Sequence, residues 1–156
     1  WLRRWYMYQG IDLILSGGLE RKKNMAGSSL LKKLQLKAGQ RAVIINPPPG
    51  YLDELGSLPE GVELAEHPEG SFDFVQIFAK DRSELERFLP AALQAIKYDA
   101  LLWIAYPKGG AKAGTDLNRD ILWDAVAQHH FSGVTLVSLN EVWSAMRFRP
   151  SEKVGQ

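Results

Sequence analysis

The 156-residue chain contains no cysteine, which excludes a disulfide framework, a thiolate nucleophile and a cysteine-ligated zinc. It holds only three histidines. His67 stands alone, so it makes no metal site by itself. His129 and His130 are neighbours at a helix end and point in different directions, which suits dipole partners better than ligands. A large charge of one sign is also missing: the net charge of +1 points to neither nucleic acid nor membrane. No apolar stretch approaches a membrane span, since the run from Ile11 to Leu15 is short and broken by Asp12. Neither a Ser-His-Asp set, nor HExxH, nor a P-loop, nor DxDxDG is present.

What is there is an ordinary globular balance, 46 % hydrophobic and 24 % charged, in a length that suits one compact domain. The charge is unevenly placed. Residues 1–24 hold five basic and two acidic side chains, and the rest hold fourteen basic and sixteen acidic. The chain begins at Trp1, while Met25-Ala26-Gly27-Ser28-Ser29 opens a periodic segment, so residues 1–24 are expected to be a leader or disordered extension. The domain is expected over 25–150, with 151–156 as a tail, and the expected location is cytoplasmic.

From Leu30 onward helical and strand patterns alternate. Leu30, Leu31, Leu34 and Leu36 mark a short amphipathic helix. Arg41 to Asn46 reads as a strand buried on both faces, ended by Pro47-Pro48-Pro49-Gly50. A one-turn helix at Tyr51 to Leu55, a short strand at Val62 to Ala65 and an apolar strand at Phe72 to Phe78 follow. Asp81 or Ser83 should cap a helix through Ile96, kinked or divided at Pro90. Ala100 to Tyr106 reads as a central strand. Thr115 should cap a helix from Asp116 to about Gln128. Val134 to Leu139 and Trp143 to Arg149 read as a terminal antiparallel pair. The expected fold is α/β: a three-layer sandwich with a mostly parallel sheet and a terminal antiparallel strand pair, of the class I methyltransferase-like (Rossmann-like) kind.

In such a sheet the ligand crevice lies at the carboxyl ends of the strands. That edge collects Asn46, Gly50, Tyr51, Glu66, Lys80, Tyr106, Lys108, Lys112, Thr115, Asp116 and Arg119 as candidate ligand-binding residues. Glu66, just past the second strand, could hold a ribose hydroxyl, or be a solvated loop carboxylate. Lys108, Lys112, Arg119 and Lys80 would form a positive rim for an anion, or an ordinary soluble loop. The first turn, Asn46-Pro47-Pro48-Pro49-Gly50-Tyr51, gives up three N–H donors and so is poor chemistry for a cofactor carboxylate or phosphate. It also has the start of an Asn-Pro-Pro-aromatic turn of the kind amino-methyltransferases use, but Pro49 takes the aromatic place, and a rigid proline turn is the simpler reading.

Several segments together resemble a small bacterial family of unassigned activity. They are Met25 to Leu30, Lys33 to Gly39, Asn46 to Tyr51, Tyr106-Pro107-Lys108, Thr115 to Asp120, and Asn140 to Arg147. The chain departs from the family at Asn140, where an aspartate is usual, which weakens any role needing a carboxylate there. The resemblance implies a reduced methyltransferase-type fold without the glycine-rich loop, and supplies no reaction.

The preferred expectation is therefore a methyltransferase-like domain without cofactor chemistry, not an enzyme, binding a small anionic ligand or a protein partner. The alternative is a minimal S-adenosylmethionine-dependent methyltransferase, with Glu66 at the ribose and Tyr51 or Tyr106 near the substrate. A homodimer through a sheet edge or the Trp143 strand is a third expectation.

Overall fold

A computed structural model describes residues 29–155. The expected leader over 1–24 and the start at Met25 lie outside the described residues. Helix α1 occupies 29–34, and the Leu30, Leu31 and Leu34 side chains are buried while Lys32 and Lys33 face water. Its last carbonyl would otherwise lack a partner. The indole Nε1 of Trp103 donates to that oxygen of Leu34 at 2.9 Å.

Six strands form one sheet: β1 Arg41–Ile45, β2 Glu63–Ala65, β3 Phe72–Phe78, β4 Ile96–Pro107, β5 Phe131–Ser138 and β6 Trp143–Pro150. Their order is β2-β1-β3-β4-β6-β5. The first four are parallel, and β6 runs antiparallel to both β4 and β5. On one face, α1 and α2 (Tyr51–Leu55) pack over Ile44, Phe74, Phe78 and Trp103. On the other, α3 (Arg82–Ala95) and α4 (Arg119–Ala127) cover Val43, Val75, Ile77, Leu102 and Ile104. This is the expected three-layer α/β sandwich. Apolar side chains on both faces of β1, β3 and β4 are what this layering demands. No helix among the described residues is long and apolar enough to cross a membrane.

A parallel crossover normally needs a dozen or more residues and a helix. The connection from β2 to β3 has only residues 66–71 and no helix. It is short because β2 spans just three residues. Arg41 fastens it: Nη1 donates to the Ser71 carbonyl at 3.1 Å, Nη2 to Glu69 at 3.3 Å, and the guanidinium lies 4.2 Å from the Phe72 ring centre. Gly70 beside this guanidinium sits at φ 99°, a left-handed conformation that favours glycine.

Several features differ from the sequence pattern, and strand β5 begins at Phe131 rather than Val134. Helix α3 runs through Pro90 unbroken, because Pro90 is exposed and the Glu86 carbonyl it crowds can face water. Strand β4 begins at Ile96 rather than Ala100. Its first residues pair through a bulge opposite Phe72 and Phe74, with Asp99 in the left-handed region at φ 56°. Helix α4 starts at Arg119, capped by the Asn118 side chain, which accepts from the Ile121 N–H at 2.8 Å. Thr115 instead accepts from the Leu117 N–H at 3.0 Å and closes a local turn. The 151–156 tail begins as a short 3-10 turn, and the Ser151 N–H donates to the His130 carbonyl at 2.9 Å.

Candidate functional site

The carboxyl edge of the sheet carries the turn 46–51 after β1, Glu66 and His67 after β2, Lys80 after β3 and the loop 108–118 after β4. These residues do not form one cluster. They divide between a cavity at the β1–β2 edge, a bonded network around the start of α3, and a second cavity beside the β5–β6 hairpin.

The first cavity holds about 480 Å³ and lies over the ends of β1 and β2. Ile44, Ile45, Leu52, Leu64, Phe88 and Ala91 provide its apolar walls, while Asn46, Glu66 and His67 bring polar groups to it. Two helices complete it: Leu52 comes from α2 and Phe88 from α3. Among the eleven candidates, Asn46 and Glu66 line this space. Phe88 was legible in the sequence only as one position of an apolar helix face, and nothing in that periodicity marks it as a wall of a cavity.

The start of α3 is closed by the protein's own carboxylates. Asp81 caps the helix, accepting from the Glu84 N–H at 2.9 Å. Asp116 reaches from the loop after β4 to accept from the Arg82 N–H at 2.8 Å. Glu84 accepts from the Lys80 N–H at 2.9 Å and from Asn46 Nδ2 at 3.3 Å. Asn46 also donates to the Phe78 carbonyl at 2.9 Å, from a left-handed backbone at φ 59°. Asn46 and Asp116 therefore tie loops together across the edge.

Of the expected positive rim, one member is engaged and three stay exposed. Lys108 Nζ donates to Ser138 Oγ and to the Asn140 carbonyl, both at 2.6 Å, so its charge holds the β5–β6 turn. Lys80 and Lys112 remain exposed. The Arg119 side chain is 64 % exposed, 3.6 Å from Asp120. Thr115 is buried in its own turn, and Gly50 supplies the left-handed step at φ 83° into α2.

The two tyrosines also move away from their expected roles. Tyr51 is 1 % exposed, and its hydroxyl donates to Gln76 Oε1 at 3.0 Å inside the α1–α2 face. Burial pushes its pKa far above the usual value. The hydroxyl is part of the core and not of the crevice. The signal for this was Gln76, one polar residue within the apolar run of β3. Tyr106 packs on the α4 side, and burial raises its pKa while Arg119 opposes the rise.

A second cavity of about 400 Å³ lies between the proline turn and the residues joining β5 to β6. Its polar groups come from Glu54, Asn140 and Glu141. Asn140 Oδ1 accepts from the N–H groups of Val142 and Trp143 at 2.8 and 2.9 Å, and Nδ2 donates to Glu54 Oε2 at 3.1 Å. An aspartate at this position could not make the last bond. The amide at Asn140 is thus matched to Glu54.

No protein-family model and no curated protein sequence matches the chain. Solved structures do match in shape. A SAM-dependent methyltransferase from Aquifex aeolicus superposes with a TM-score of 0.55 at 13 % identity, over 82 % of this chain and 91 % of that one. The N-methyltransferase NodS from Bradyrhizobium japonicum, solved with S-adenosyl-L-homocysteine, gives 0.54 at 12 % identity, over 80 % and 85 %. A ribosomal protein L11 methylase from Lactobacillus delbrueckii gives 0.53 at 11 % identity, over 83 % and 78 %.

The fold is that of a class I methyltransferase.

Within that fold, this chain has a six-residue crossover after β2 and a three-proline turn after β1. Both border the first cavity.

Proposed function

We propose that the chain is a minimal S-adenosylmethionine-dependent methyltransferase, with the nucleoside of the cofactor in the cavity at the ends of β1 and β2. The observation that carries this reading is Glu66, placed directly after β2 on the rim of an apolar cavity of about 480 Å³. Doubly wound nucleotide-binding folds use an acidic residue near there to accept from ribose hydroxyls. The methyltransferases with the same fold support the choice of cofactor. An anionic ligand is less favoured, because Lys108 is engaged and the Arg82 and Glu84 N–H groups already have carboxylate partners.

The residues fit the nucleoside half of the group. Ile44, Leu52, Leu64 and Phe88 offer a dry surface for a purine, and Glu66 offers acceptors for hydroxyls. The amino-acid half finds less, since Pro47, Pro48 and Pro49 have no N–H and the Tyr51 N–H donates to the Pro48 carbonyl at 3.1 Å. When bound, the cofactor supplies a methyl group made electrophilic by its sulfonium. The chain's own part is to bind the nucleoside at Glu66, to exclude water with the apolar walls, and to hold the turn still through Asn46.

Calorimetric titration of the full chain with S-adenosylhomocysteine tests this. Saturable heat with a dissociation constant in the micromolar range is expected. Absence of binding at millimolar ligand would remove the reading.

A further inference from the structure

We propose that the second cavity binds an organic cation, an ammonium group carried on a flat apolar body. Pro48, Pro49, Val142 and Trp143 give the cavity rigid apolar walls, and its carboxyl side chains are Glu54 and Glu141. No basic side chain lines it. Neither glutamate has an ion-pair partner among the described residues. The ammonium of Lys108, just past β4, is turned to Ser138 and the Asn140 carbonyl.

The walls are held in place before any ligand arrives. Trp143 packs edge-on against Phe78 with ring centres 5.1 Å apart, and Phe78 packs against Tyr51 at 4.5 Å. Asn140 fixes the hairpin turn through two N–H groups and also holds the Glu54 carboxylate. Little ordering remains to be done on binding, which favours a small rigid ligand. The volume of about 400 Å³ lies in the ordinary range for small-molecule pockets. Val142 is 57 % exposed, an apolar wall left open to solvent. Carboxylates set against such walls select a cation with an apolar body over an anion of the same shape.

The cavity also has a meaningful neighbour. Pro47 lines the first cavity while Pro48 and Pro49 line the second, so one turn separates the two. A second ligand of the proposed methyltransferase would sit here, but cation binding itself does not depend on that reading.

An NMR titration of the ¹⁵N-labelled full chain with 2-phenylethylamine, set against phenylacetate, tests the proposal. The amine should shift the Val142 and Trp143 N–H signals saturably, and phenylacetate should not. Glu141 is exposed at the turn, so Glu141→Gln should leave the fold intact and weaken the amine about threefold. Adding Glu54→Gln keeps an acceptor for Asn140 and should weaken it further. Equal binding of phenylacetate, no saturable shift, or an unchanged affinity in both variants would overturn the proposal. If S-adenosylhomocysteine binds and the amine does not, this proposal fails alone; the converse leaves it standing and removes the reading of the first cavity.

Discussion

Asn46 Nδ2 lies 2.9 Å from the carbonyl oxygen of Phe78, and this hydrogen bond joins the carboxyl ends of β1 and β3. In a doubly wound sheet, strands on either side of the first strand splay apart at this point and leave a crevice. Here the side chain bridges the gap and passes on to Glu84 at the start of α3. The open space is displaced toward β2, where the first cavity lies.

Asn46 has two roles that substitution separates. Its backbone sits at φ 59°, which alanine tolerates poorly and glycine tolerates well. Asn46→Gly should lose only the bonds, about 1 kcal/mol. Asn46→Ala should lose the bonds and add backbone strain, about 2–3 kcal/mol in all. Urea unfolding of the two variants measures the difference. An alanine variant as stable as the glycine variant would contradict the account.

Lys108 should matter for stability and not for anions. Lys108→Met removes two charge-assisted hydrogen bonds to the β5–β6 turn, which should cost about 1–2 kcal/mol. Any thermal stabilisation by inorganic phosphate should be the same in the variant and the parent. A thermal-shift series across phosphate concentrations checks both statements, and a phosphate effect that vanishes with Lys108 would contradict the second.

Two paired aspartates make the fold sensitive to acid. The Arg41 N–H and Lys97 hold the Asp73 carboxyl below its ordinary value of 3.8, and the fork of Arg149 does the same for Asp99. Carboxyls with depressed folded values bind protons more readily in the unfolded chain. Their contribution is fully present above about pH 5 and is lost as pH falls through the folded values. Unfolding free energy measured from pH 6 to pH 3 should fall, and Asp99→Asn should flatten part of the fall. An unaltered slope in that variant would count against the Asp99–Arg149 pair.

Much of the layering was legible because strong local signals surround it. The run from Phe72 to Phe78 is apolar on both faces and bounded by polar turns, and it forms β3 with those limits. The start of β4 was not legible, because Lys97, Tyr98 and Asp99 look like a loop. Those residues enter the sheet through a bulge, held by Lys97 on Asp73 and Arg149 on Asp99. Thr115-Asp116 reads as a helix start, yet Thr115 closes a turn and Asp116 is spent on the Arg82 N–H. The site was less legible than the fold. Glu66 could be placed by counting from the end of a strand. The second cavity could not, since Glu54 and Asn140 meet across 86 residues of sequence.

If Glu66 receives ribose hydroxyls at the first cavity, a nucleoside cycle will show it. Adenosine and 2′,3′-dideoxyadenosine are titrated into the parent chain and into Glu66→Ala. The parent should bind adenosine about tenfold more tightly, roughly 1.4 kcal/mol, and the preference should disappear in the variant. Equal affinity for the two nucleosides in the parent, or a preference that persists without Glu66, would contradict it.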